Sequence, residues 1–262
     1  MRKNELKKRL ADGVKGVNGW IAVPNSFQAE VFAGCGWDSV TIDMQHGAPD
    51  VNDLVGLMQA IQINGVTAMV RVPWNEPSVI MRALDVGAYG IICPMVNTKA
   101  EAEAFVSAGR YPPMGARSNG PFRAAQYAGG DYQLHANEEI LLFAMIETRE
   151  AMKNLDAILK VKGLDGVYVG PTDLALSHGK PATLDPSDAE ILELMKTIVT
   201  KTRAAGKIAG VHTDSPKTAH KRYADGYHFC TLINDVNILA KASRDWIAEA
   251  RGEKKKDASK SY

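Results

Sequence analysis

A single (β/α)8 barrel, the TIM-barrel architecture, is the fold this sequence predicts, and three observations predict it. Short apolar runs alternate with helical segments eight times, with no long antiparallel stretch between them. The chain has 262 residues, and one such barrel takes about 250. Several apolar runs stop abruptly at a polar or charged residue, as barrel strands do where they open onto a site. An open doubly wound sheet is the alternative. No Gly-x-Gly-x-x-Gly follows the first run, so a dinucleotide site has no support.

Residues 2–12 suit a short amphipathic helix, with Leu6 and Leu10 on one face and Lys and Arg on the other. Trp20-Ile21-Ala22-Val23 reads as the first strand, ended by Pro24. Ser26 can cap a helix carrying Ala29, Val31, Phe32 and Ala33, which stops at Gly34-Cys35-Gly36. Ser39–Ile42 is the second strand and runs into Asp43-Met44-Gln45-His46-Gly47. A helix over 51–63 turns Leu54, Val55, Leu57, Met58 and Ile61 inward. Thr67–Val70 is the third strand, ended by Arg71-Val72-Pro73; a helix at 78–85 and a fourth strand, Gly90–Pro94, follow. Residues 99–108 form a helix rich in Ala and Glu.

The fifth strand is the apolar run Ile140–Ile146, which ends at Glu147. A helix over 150–161 places Ala151, Leu155, Ile158 and Leu159 on one face, and Gly166–Gly170 is the sixth strand, followed by Pro171-Thr172-Asp173-Leu174. The alternation then continues through a helix at 187–205, a strand at 207–211, a helix at 216–224, a strand at 227–232 and a last helix at 236–250. Two segments depart from it. Residues 110–138 are too rich in Pro and Gly for barrel wall and read as a long structured loop, with a functional or interface role. The domain is expected to span 1–252, with 253–262, including Lys254-Lys255-Lys256, as a charged flexible tail.

Composition narrows the function. Lys+Arg 31 against Asp+Glu 30 gives a net charge of +1, with no basic excess for nucleic acid. No apolar run approaches the ~20 residues of a membrane span. The basic start, Met1–Arg9, lacks the apolar core of a secretory signal. Cys35, Cys93 and Cys230 are far apart, and the last two sit in apolar runs, as reduced core thiols of a cytoplasmic protein do.

The residues at the strand ends carry the chemistry. Glu147 and Asp173 close consecutive strands of one strand–helix–strand unit, so parallel pairing opens both carboxylates at one edge. Magnesium or manganese suits such a hard-oxygen site, with cobalt a further choice. The alternative is that each carboxylate caps a helix. A metal there could chelate a 2-oxo acid, acting as a Lewis acid that stabilises an enolate. The backbone N–H groups at Thr172 and Asp173 can hold the substrate carboxylate. Arg71, permanently cationic, can lie against the enolate oxygen. His46, oriented by Asp43, can move the proton. No lysine stands at a strand end in a form that suggests a Schiff base.

Six segments resemble the HpcH/HpaI family of metal-dependent class II pyruvate aldolases, typified by 4-hydroxy-2-oxoheptanedioate aldolase. They are Ile42–Gly47, Val70–Pro73, Leu84–Met95, Arg110–Ser118, Ile146–Thr148 and Gly170–Leu174, in the family's order over residues 16–240. The resemblance implies a barrel whose metal sits on Glu147 and Asp173, with Arg71 on the keto or enolate oxygen. It implies an Asp43–His46 pair for proton transfer and a substrate pocket that includes Gln45, Gly170, Pro171 and Thr172. The substrates it implies are a 2-oxo acid, pyruvate or a relative such as hydroxypyruvate, and an aldehyde. It also implies a homo-oligomer, typically a hexamer built as a trimer of dimers that exchange their last helix. Asp85 and Arg117 are then candidates to complete a neighbour's site.

The chain departs from the pattern at Gln45, where many relatives have Glu, and at Met145, where many have Gln. Val211-His212-Thr213-Asp214-Ser215-Pro216 is unusually polar, and Leu232-Ile233-Asn234-Asp235 replaces a more usual Gly-Asp turn. These departures bear on the aldehyde more than on the reaction type. Two other readings compete: an enolate-forming lyase or decarboxylase acting on another 2-oxo acid or an acyl-CoA, and a non-catalytic barrel that binds a 2-oxo acid.

Overall fold

The computed structural model describes residues 1–253. Eight strands close into a barrel in sequence order, each parallel to its neighbours, with the last paired to the first. They are β1 (Gly16–Ile21), β2 (Ser39–Asp43), β3 (Thr67–Arg71), β4 (Gly90–Cys93), β5 (Leu141–Ile146), β6 (Gly166–Val169), β7 (Ile208–Thr213) and β8 (Phe229–Leu232). The helices before β5 are α1 (Glu5–Ala11), α2 (Ser26–Ala33), α3 (Leu54–Gln62), α4 (Pro77–Asp85), α5 (Lys99–Gly109), α6 (Phe122–Ala128) and α7 (Tyr132–Glu139). Those after it are α8 (Arg149–Leu159), α9 (Pro171–Ser177), α10 (Ala189–Ala204), α11 (Pro216–Asp225) and α12 (Asp235–Ala250). Among the described residues no helix is long and apolar enough to cross a membrane.

Alternate strand residues fill the barrel, and the others pack under the helices. The interior cluster contains Trp20, Met69, Ile92, Phe143, Tyr168 and Phe229. Leu6 and Leu10 of α1 join it from the amino ends of the strands, where the Leu6 N–H donates to Thr67 Oγ1 at 3.2 Å. That end is plugged, so access is from the carboxyl ends.

The structure differs from the sequence expectation in four places. β1 begins at Gly16 rather than Trp20, because Asn18 is a buried strand residue. Its amide donates to Thr231 Oγ1 at 2.8 Å and accepts from the hydroxyls of Ser39 and Thr41, so a polar residue is satisfied inside the barrel. Residues 110–138, expected to be irregular, contain α6 and most of α7. Arg110 anchors that segment by donating to the carbonyls of Gly163, Asn137 and Ile140 and pairing with Asp165. Pro171 opens a helix, α9, where only a turn was expected. β7 runs on to Thr213, pairing His212 with Thr231 and Thr213 with Leu232. The expected tail lies outside the described residues except for Glu253.

Candidate active site

Parallel register sets Asp43 directly opposite Arg71 at the ends of β2 and β3. Arg71 donates to Asp43 through Nε at 2.9 Å and Nη2 at 2.7 Å. Trp20, reaching across from β1, donates its indole N–H to the same carboxylate at 3.1 Å, and its ring lies 4.8 Å from the guanidinium. The backbone N–H groups of Gln45 and His46 also point at Asp43 Oδ1, at 3.0 and 3.3 Å. Burial opposes ionisation of Asp43, but Arg71, Trp20 and the Gln45 N–H together hold its carboxyl below the ordinary value. Of the five N–H bonds of Arg71, two are spent on Asp43, and three remain for a ligand.

These contacts do not include the ring of His46, with which Asp43 was expected to pair. The carboxylate is consumed by Arg71 and by its own loop, and it reaches the backbone of His46, not the ring. His46 itself is exposed at the mouth, and its ring makes no hydrogen bond among the described residues. Gln45 Oε1 is buried without a donor among the described residues.

Glu147 follows β5 and is 2% exposed. Its Oε1 accepts from the Met95 N–H at 2.8 Å, and Met95 adopts φ +55 to aim that bond. A non-glycine residue in this conformation stores strain. Gly170, the residue after β6, leaves room for the other oxygen: a Cβ there would lie 2.5 Å from Glu147 Oε2. Burial pushes the Glu147 carboxyl up to about 7; the Met95 N–H and Arg71 work against that shift, and the charge of Asp173 adds to it.

Asp173 stands in the first turn of α9, exposed, with no hydrogen bond or ion pair among the described residues. No side chain caps α9, whose first three residues are Pro171, Thr172 and Asp173. Two adjacent carboxylates, one buried and one unpaired, are the donors a hard divalent cation takes. Among the described residues no group of three or more His, Cys, Asp or Glu could hold a metal. A cation on this pair would take its remaining oxygens from water or substrate, as Mg2+ commonly does.

Asp85 and Arg117 meet each other away from this mouth. Asp85 ends α4, at the far end of the barrel from its own site. Arg117 is buried, pairs with Asp85 at 2.7 Å, and lies 4.4 Å from the Tyr111 ring and 5.5 Å from that of Tyr132. Sequence reasoning gave no role to Trp20, Met95 or Tyr168. Trp20 and Tyr168 were findable by period-two alternation along their strands. Met95 acts through its backbone, which leaves no side-chain signal.

The model of the family described as HpcH/HpaI aldolase/citrate lyase matches residues 19–242. A hydroxypyruvate/pyruvate aldolase of Rhizorhabdus wittichii is 42% identical over 248 residues, covering 95% of this chain and 99% of its own. A 4-hydroxy-2-oxovalerate aldolase of Rhodococcus jostii is 38% identical over 240 residues, covering 91% of this chain and 92% of its own. The crystal structure of an HpcH/HpaI aldolase/citrate lyase family protein from Burkholderia cenocepacia superposes with a TM-score of 0.89 at 29% identity, covering 95% of this chain and 100% of its own.

The raised carboxyl of Glu147 predicts a pH-dependent stability in metal-free protein. The folded state holds its proton more tightly than the unfolded chain does. The stability this gives is fully present below about 4.5 and is lost as pH rises through about 7. The loss is on the order of 3 kcal/mol. Glu147→Gln stays neutral throughout, so in chelator at pH 8 its urea midpoint should exceed that of the wild type. Coincident midpoints across pH 5–8 would show that no buried charge is being removed.

Proposed function

The chain belongs to the HpcH/HpaI aldolase/citrate lyase family and is a carbon–carbon lyase, and on that footing we propose that it is a metal-dependent aldolase of 2-oxo acids. It cleaves a 4-hydroxy-2-oxo acid reversibly to an aldehyde and pyruvate, or a related 2-oxo acid such as hydroxypyruvate. The observation that carries this reading is Arg71, fixed by Asp43 with N–H groups to spare, at a mouth that also holds the carboxylates of Glu147 and Asp173.

In the cleavage direction the C3–C4 bond breaks and its electron pair moves toward the 2-oxo oxygen. The C4 hydroxyl gives up its proton and becomes the aldehyde. Arg71 faces the oxygen that gains charge, and its planar fork is already oriented by Asp43 and Trp20. His46, exposed and free at its ring, accepts the hydroxyl proton and returns one to C3. The N–H groups at the start of α9 orient the acid, and Gln45, whose Oε1 has no partner among the described residues, lines the same pocket. Glu147 and Asp173 would hold Mg2+ or Mn2+, or Co2+ in their place. When bound, such an ion supplies Lewis acidity toward the carboxylate and keto oxygens.

The working form is a homo-oligomer, in our reading a hexamer arranged as a trimer of dimers. Support comes from α12, which buries only Asp235 in its own chain. Leu239, Trp246 and Ile247 are 64%, 74% and 50% exposed, an apolar face suited to exchange with a second subunit. In that assembly Asp85, whose partly exposed side chain is backed by Arg117, would complete a neighbour's site. Light scattering tests the mass. The unpaired, buried Cys93 and Cys230 fit a cytoplasmic location.

Chelation should abolish turnover of pyruvate with an aldehyde, and Mn2+ should restore it. Borohydride added with pyruvate should trap no adduct, and a trapped lysine would overturn the metal reading.

His46→Ala should change stability by less than ~0.5 kcal/mol, because its ring has no partner to lose. Turnover should fall by ~10²–10⁴-fold. Ordinary turnover in this variant would remove His46 from the proton transfer.

A further inference from the structure

His212 lies at the mouth, and the reaction as described leaves it unused. β7 sets it level with Thr231 of β8. Its ring stands edge-on to Trp20, with 4.9 Å between centroids. Its Nδ1 is 3.2 Å from the Tyr168 hydroxyl, and that hydroxyl donates its proton to Thr231 Oγ1, 2.6 Å away. Toward His212 the tyrosine oxygen therefore accepts, and Nδ1 carries the ring proton. In the neutral ring Nε2 is then a bare acceptor, and it has no partner among the described residues. Burial, and then the charge of Arg71, push the ring's pKa down to about 3, so it stays neutral at working pH.

On the aldolase reading above, we propose that His212 recognises a hydroxyl group on the aldehyde, which makes the acceptor a hydroxyaldehyde. The other polar side chains of the mouth already have work on the proposed function: Arg71 is a donor for oxyanions, Glu147 with Asp173 takes a cation, Gln45 lines the acid pocket and His46 moves the proton. His212 offers a neutral lone pair on a different wall, β7, the strand next to β6, which leads into α9 and Asp173. An O–H group satisfies it. An alkyl group leaves a desolvated acceptor unpaired, which costs binding. A carboxylate brings only further lone pairs, and a ring that stays neutral cannot offset its charge. The indole of Trp20 beside His212 provides apolar surface for the carbon that bears the hydroxyl.

The test is a competition between glycolaldehyde and propanal, which differ by a hydroxyl in place of a methyl, each with pyruvate and Mn2+. Their ratio of kcat/KM cancels any common effect on the acid half of the reaction. The wild type should prefer glycolaldehyde. His212→Leu should lower the ratio by about tenfold, the worth of one hydrogen bond. His212→Gln, whose amide oxygen accepts, should retain most of it. In the 15N spectrum of His212, Nε2 should resonate as the unprotonated nitrogen and stay there between pH 5 and 8. A ratio unmoved by His212→Leu, or a proton on Nε2, overturns the proposal. Exchange of the pyruvate methyl protons in D2O separates the two levels. Exchange with an unmoved ratio removes only the role of His212, whereas no exchange by the wild type removes the aldolase reading and this inference with it.

Discussion

The ion pair between Asp43 and Arg71 is the contact around which the mouth of the barrel is arranged. It exists because two parallel strands end in register, so a carboxylate and a guanidinium face each other as cross-strand neighbours. Both side chains are largely buried, so neither charge is tolerable without the other. Trp20 fills the space beside the pair and adds a third donor to the carboxylate. What results is a fixed cation with spare N–H groups, already held before any ligand arrives. Preorganisation of this kind is what makes a donor effective against charge that develops only during reaction.

The influence of Arg71 extends past its partner. Its charge opposes the upward shift of Glu147 and adds to the burial that keeps the imidazole of His212 neutral. One cation thus favours ionisation of one buried group and disfavours protonation of another. Around Glu147 the backbone has been shaped for the carboxylate: Met95 takes a strained φ to supply an N–H, and Gly170 gives up a side chain to supply room. Strain of this kind persists where the surroundings impose it, and on the proposed function it holds the Glu147 carboxylate for a divalent cation.

Much of this was legible in the sequence, and the remainder failed for identifiable reasons. The stops at Asp43, Arg71, Glu147 and Asp173 showed because each ends an apolar run, and one alternation placed all of them at the same end. The choice of Arg71 over the His46 ring as the partner of Asp43 depends on register between strands, which local patterning does not contain. Asn18 read as loop because its satisfaction comes from Thr231, Ser39 and Thr41, distant in sequence. α6 and α7 were hidden by the Pro and Gly residues before them, although Ala124, Ala128, Tyr132 and Ala136 are all buried. His212 was noticed only as polarity after a strand. The structure places it within β7, facing Tyr168 and Trp20.

On the proposed function, Asp43 serves the reaction by holding Arg71 rather than through the ring of His46. The direct measurement is the rate of deuterium incorporation into the methyl group of pyruvate, followed by proton NMR in D2O with saturating Mn2+. Asp43→Asn loses the charge that fixes the guanidinium while keeping the shape of the side chain. The account predicts a fall of ~10²-fold, comparable to loss of an oxyanion donor, with Mn2+ affinity and the folded state unchanged. A rate near that of the wild type in this variant would contradict it.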